Sequence, residues 1–194
     1  RINGDGSIRM IYTGVTAPTS STATVMTGTG TQINAKTYTF NSSYDNPAYV
    51  GYMYTLNTQH GNGTSSMLKE TIDNWYAGTT LKTNSETKTL VSQNQIFCND
   101  RSALTKTSGT PGEISGGINT RTTYYYGAYI RLITNKMPKL TCTTASDKFA
   151  TNTSNGNGLL TYPVGLITAD EVSMAGGVYG IDNTSYYLYT NQHY

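Results

Sequence analysis

Few residues in this chain can do chemistry: its 194 positions hold eleven carboxylates, two histidines and two cysteines. One adjacent acidic pair, Asp170 and Glu171, stands inside "LLTYPVGLITADEVSMAGG", residues 159–177. Its surroundings read as a helix start. Thr168 and Glu171 have the T-x-x-E spacing of a capping box, in which the Thr hydroxyl accepts from the Glu171 amide and the Glu carboxylate reaches back to the Thr168 amide. Asp170 falls in the first turn, where a carboxylate meets the positive end of the helix. Val172 with Met174 or Ala175 would face the core, and Gly176–Gly177 would terminate the helix. A glycosidase needs two carboxyls across one cleft. Glu70, Glu86, Asp100 and Glu113 are nominal candidates, and nothing around them singles out a pair.

Other chemistries have less support. A Ser-His-acid triad needs a histidine in context, but His60 and His193 stand alone and no G-x-S-x-G occurs. Phosphate- and dinucleotide-binding loops are missing from the sequence, so no cofactor is predicted. Asn3 and Asp5 in "NGDG" offer oxygens, but the other ligands of a calcium loop are lacking, and a plain turn is the better reading. No metal site and no catalytic residue is therefore expected. Cys98 and Cys142 favour one disulfide in an oxidising compartment, with two buried thiols or a metal site as alternatives. Such a bridge would contribute about 4 kcal/mol by loop-closure entropy.

The elements that must position these groups follow from composition and pattern. Charged residues make up 12% of the chain, the net charge is +2, and Tyr outnumbers Phe by 17 to 3. Hydroxyls and amides, not net charge, must then face water, as in many extracellular β-rich proteins. No Lys/Arg run suits nucleic acid, and no apolar stretch is long enough to span a membrane. The length fits one domain over 1–194. "RINGDGSIRMIY" predicts a turn followed by a half-buried strand through Ile8, Met10 and Tyr12. "AYVGYMYT" predicts a strand over Tyr49–Thr55. Leu68, Ile72 and Trp75 predict an amphipathic helix over Ser66–Ala77 stopped at Gly78, with Trp75 as a core anchor. "TTYYYGAYIRLIT" predicts a strand over Thr122–Thr134, buried on both faces. "KTSGTPGEISGGINT" and "NTSNGNG" read as loops.

Taken together, "RINGDGSIRMIY", "YDNPAYVGYMY", "FCNDRS", "YYGAYIRLITNKMPKLTC", "YPVGLITADEVSMAGG" and "YYLYTNQHY" resemble a group of surface proteins from Gram-positive, often gut, bacteria, in order and spacing over nearly the whole chain. In that group the segments follow a pilin-like N-terminal helix. The resemblance implies an α+β fold of C-type lectin-like (formylglycine-generating-type) architecture, with small antiparallel sheets, about two helices and long irregular loops. It also implies that Cys98 and Cys142 pair. The group's W-R-I/V, W-T-M-S-P and V-R-P-V segments are not in this chain, so flanking segments of a longer protein are expected.

The function this implies is an extracellular, cell-surface binding module. Its ligand, a glycan, a protein or a surface, would be contacted by Tyr124, Tyr126, Tyr186, Tyr187, Tyr189, Asn191 and His193. Tyr combines rigid stacking area with a hydrogen-bonding tip, and Asn adds adaptable polar contacts. Cys98, Cys142, Trp75, Thr168 and Glu171 would be structural. The alternative is a filament subunit completed by strand addition; hydrolysis of polysaccharide is a weaker third reading.

Overall fold

The computed structural model describes residues 2–12, 14, 32–34, 36–41, 50–101, 103–105, 124–126, 128, 131–132 and 135–174. They form a mixed α+β arrangement of short elements. In chain order these are β1 (Met53–Tyr54), β2 (Thr64–Ser65), α1 (Met67–Ala77), α2 (Thr80–Thr83), α3 (Thr87–Leu90), β3 (Phe97–Cys98), β4 (Ala103–Thr105), β5 (Tyr124–Tyr126), β6 (Lys148–Phe149) and α4 (Ala169–Met174). Three antiparallel ribbons result, β1–β2, β3–β6 and β4–β5. The described residues hold four helices, not about two. The extra ones, α2 and α3, are single Thr-rich turns without an apolar period. They are joined at Asn84, whose Oδ1 accepts from the Glu86 and Thr87 amides.

Helix α1 begins where its sequence says it should. Ser66 is extended, and its buried Oγ accepts from the Lys69 amide at 3.0 Å. Ile72 and Tyr76, one turn apart, are buried, with Leu68 half-buried on the same stripe. Trp75 lies at the flank of that stripe. It is half-buried, edge-on to Tyr12 at 5.2 Å, and Tyr76 takes the buried place predicted for it. The core unites Tyr52, Ile72, Phe149 and Leu160, flanked by Ile33, Met53, Leu68, Phe97, Val164 and Leu166. Tyr52 meets Phe149 edge-to-face at 5.9 Å.

Three strand predictions shorten. Ile8 bridges Ile2 across the "NGDG" turn and Val91 on its other side. No ladder continues, however, and Met10 and Ile11 are both exposed. Within Tyr49–Thr55 only Met53–Tyr54 forms a strand, and Tyr49 lies outside the described residues. Among the described residues of Thr122–Thr134, Tyr124–Tyr126 form a strand, Ala128 is helical and Arg131–Leu132 are wound as a π-helix. Apolar residues on both parities fit a buried helical segment as well as a buried strand, so periodicity alone could not separate them.

Close backbone approach fixes the chain near β3. A Cβ on Gly165 would lie 2.5 Å from Cγ of Phe97, so only glycine lets this segment cover the aromatic ring. "NTSNGNG" is indeed a turn that folds back on β6, with the Asn157 amide donating to Lys148 O at 2.7 Å.

Candidate functional site

Five consecutive residues, Phe97 to Arg101, each fasten a different part of the molecule. Phe97 packs into the core beneath Gly165. Cys98 is disulfide-bonded to Cys142, closing a 44-residue separation. Asn99 Oδ1 accepts from the Tyr52 amide. Asp100 and Arg101 enter two separate buried ion clusters.

In the first cluster Asp147 has no exposed surface and Arg101 is 1% exposed. The guanidinium donates to Asp147 through Nε at 3.0 Å and also through Nη2. It further donates to Met53 O, Gly61 O and Asn62 Oδ1 at 2.8–3.0 Å. One arginine thereby ties β1, the loop before β2, and the turn before β6. Asp147 also pairs with His60 Nδ1 at 2.6 Å and accepts from Thr144 Oγ1 at 3.0 Å. His60 holds a left-handed backbone, φ 57°, which histidine tolerates better than most residues. A His–Asp pair is half of a catalytic triad, but here the carboxylate is already matched by a guanidinium, and it orients a loop.

In the second cluster Arg131 faces Asp170 bidentately, Nε to Oδ1 at 2.9 Å and Nη2 to Oδ2 at 2.6 Å, and Nη2 also bonds Asp100. The Lys139 amide donates to Asp170 Oδ1 at 2.8 Å. Burial alone would raise the Asp170 carboxyl; the Arg131 and Lys139 bonds outweigh it and hold the group below its ordinary value. The same carboxylates push the Arg131 guanidinium pKa up, against the opposing effect of burial. Asp170 thus does more than meet a helix dipole: it is 2% exposed and is the buried partner of a distant arginine. Two carboxylates converge on one nitrogen, but an acid catalyst needs a raised pKa, and Asp170 is shifted the other way.

The capping box is present. Thr168 N donates to Glu171 Oε2 at 2.7 Å, and Glu171 N donates to Thr168 Oγ1 at 3.1 Å. Val172 is half-buried, whereas Met174 is exposed; Ala175 and Gly176–Gly177 lie outside the described residues. Glu70 and Glu86 are exposed on α1 and next to α3, and Glu113 lies outside the described residues. Among the described residues, no group of three His, Cys, Asp or Glu side chains could hold a metal ion, and no helix is long and apolar enough to cross a membrane.

Of the residues predicted to contact ligand, Tyr124 and Tyr126 lie on β5, paired with Thr105 and Ala103. Tyr186, Tyr187, Tyr189, Asn191 and His193 lie outside the described residues. The two ion clusters carry no local spacing signal in the sequence. Arg131 sits alone between Ile130 and Leu132, and a lone cation in an apolar run is a signal that a buried counter-charge must exist.

Among the described residues, a void of about 20 Å³ is lined by Tyr52, Phe97, Cys98, Asn99, Phe149 and Leu166. That is room for a water molecule, not for a substrate. No family model matches the chain, and comparison with curated proteins and with solved structures finds no match.

Proposed function

We propose that this chain is an extracellular binding module of a bacterial surface protein, C-type lectin-like in fold, recognising a glycan or protein ligand through two tyrosine-rich segments. These are "RTTYYY" at 121–126 and "DNTSYYLYTNQHY" at 182–194. The observation that carries the reading is the Asp100–Arg131–Asp170 cluster. Asp100 precedes β4, Arg131 follows β5, and Asp170 lies on α4, which leads into 175–194. One buried guanidinium therefore joins described residues that flank both segments in the chain, Arg131 after the first and Asp170 before the second.

Further support comes from the acids. Asp73, Asp100, Asp147 and Asp170 pair with cations, and Glu171 caps a helix. These carboxylates organise the backbone, which suits a binding scaffold better than a hydrolase. The disulfide fits an oxidising, extracellular setting. Glycan-array and host-cell binding tests the proposal. Binding by the wild type that is lost when either tyrosine segment is scrambled is expected; signal equal in wild type and scrambled chains would refute it. A filament subunit is the second reading, favoured by two-stranded ribbons whose outer edges could accept a strand and by the exposed Ile2 at one bridge. Concentration-dependent fibres by electron microscopy would select it.

A further inference from the structure

Four Asn–Gly steps occur in the chain, at 3–4, 62–63, 155–156 and 157–158. Asn–Gly is chemically labile because glycine leaves its amide nitrogen unhindered. That nitrogen can lose its proton to hydroxide and attack the Asn Cγ. The bond from Cγ to the side-chain nitrogen breaks, ammonia leaves, and water then opens the succinimide to aspartate or isoaspartate. Closure requires a mobile side chain and a free glycine amide, and the fold supplies these unequally.

Asn62 is held at both ends, donating to Ser146 O at 2.8 Å and accepting from Arg101, while the Gly63 amide donates to Thr55 Oγ1 at 3.0 Å. Asn157 likewise donates to Ser146 O and accepts from the Leu159 amide. At Asn155 the following amide, Gly156, donates to Asn152 O, and Gly156 is wedged against Lys148 O. Asn3 differs. Among the described residues its side chain makes one bond, to Ser7 Oγ at 2.9 Å, and Gly4 is exposed, with nothing within 4 Å of where a Cβ would stand. Among the described residues, none accepts from the Gly4 amide.

We propose that Asn3 is the site of spontaneous deamidation in this protein, and that isoaspartate there unpins the N-terminal ribbon. The extra backbone methylene falls inside the turn that sets the Asn3 N to Ser7 O bond and the Ile2–Ile8 bridge. Ile8 in turn accepts from the Ser92 amide at 3.0 Å. Each net hydrogen bond that must break before closure slows it by about two- to tenfold, and Asn62–Gly63 must break three where Asn3–Gly4 breaks one, so Asn3 leads Asn62 by roughly fivefold to a hundredfold.

The test is peptide mapping by mass spectrometry after prolonged incubation of the purified chain in mildly alkaline buffer, beside the Gly4→Ala variant. Conversion at Asn3 ahead of the other three, suppressed in Gly4→Ala, is the expected result. Equal or faster conversion at Asn62, Asn155 or Asn157, no conversion at Asn3, or no effect of Gly4→Ala would overturn the assignment. Faster hydrogen exchange at Ser92 in the isoaspartyl fraction is expected; unchanged protection there would overturn the unpinning.

Discussion

Replacing Asp147 by asparagine removes one charge and almost no volume, yet it should destabilise the protein by about 3–5 kcal/mol. The reason is Arg101. Its guanidinium is 1% exposed and matched by a carboxylate with no exposed surface. Removing one partner strands the other in a poorly solvated place, and broken buried pairs cost about 3–5 kcal/mol, whereas exposed pairs contribute about 0.2–1 kcal/mol. The asparagine amide also turns a donor either toward Arg101, which bonds one carboxylate oxygen, or toward His60 and Thr144, which bond the other. For a chain of this length each kcal/mol moves the melting temperature by about 2–4 °C, so a fall of roughly 6–20 °C is expected. Urea unfolding without reductant should show a lower midpoint at an unchanged slope. The double variant Arg101→Met/Asp147→Leu should recover part of the loss, since it removes the stranded charge although Met53 O, Gly61 O and Asn62 Oδ1 lose their donor. A loss under about 1 kcal/mol in Asp147→Asn, the range of an exposed pair, would refute the reasoning. So would a double variant as unstable as the sum of the singles, because contacting residues should couple.

Acid should act through Asp170. Its folded pKa lies below 3.8, so the unfolded chain takes up that proton first as pH falls. Its stabilisation is therefore full above 3.8 and lost as pH drops through the lower folded value; Asp170→Asn should be less stable at neutral pH and show a flatter acid limb in a stability-versus-pH titration. Gly165→Ala should cost about 1–3 kcal/mol by thermal unfolding, as overpacking does, because the new methyl collides with the Phe97 ring. Reducing Cys98–Cys142 should lower stability by about 4 kcal/mol on the loop-entropy account, with two thiols appearing on alkylation only after reductant.

The legible parts of the fold were those governed by local rules. Ser66 and Thr168 announce helix starts because a hydroxyl three residues before a bonded amide is a local arrangement, and the Ile72–Tyr76 face follows from helical spacing. Segments with ambiguous local signals were misjudged. "YYYGAYIRLIT" satisfies strand and buried-helix patterns together, and its Arg131 meets carboxylates 31 and 39 residues away that no local pattern announces. Residues 80–90 carry no apolar period, so two short helical turns stabilised by Asn84 escaped notice. Of the two ion clusters, only Arg131, a lone cation in an apolar run, carries a local signal, and its partners do not. The members of both clusters come from residues 60 and 62, 100 and 101, 131, 147 and 170, and no spacing rule links them.

The claim that one buried arginine joins residues flanking both tyrosine-rich segments is tested most directly by photo-oxidative dityrosine cross-linking. Peptide mapping of the cross-linked chain should join a tyrosine of 124–126 to one of 186–189, and Arg131→Met should abolish that link while leaving the Cys98–Cys142 bridge intact. Links confined within each segment, or an unchanged yield in Arg131→Met, would contradict the account.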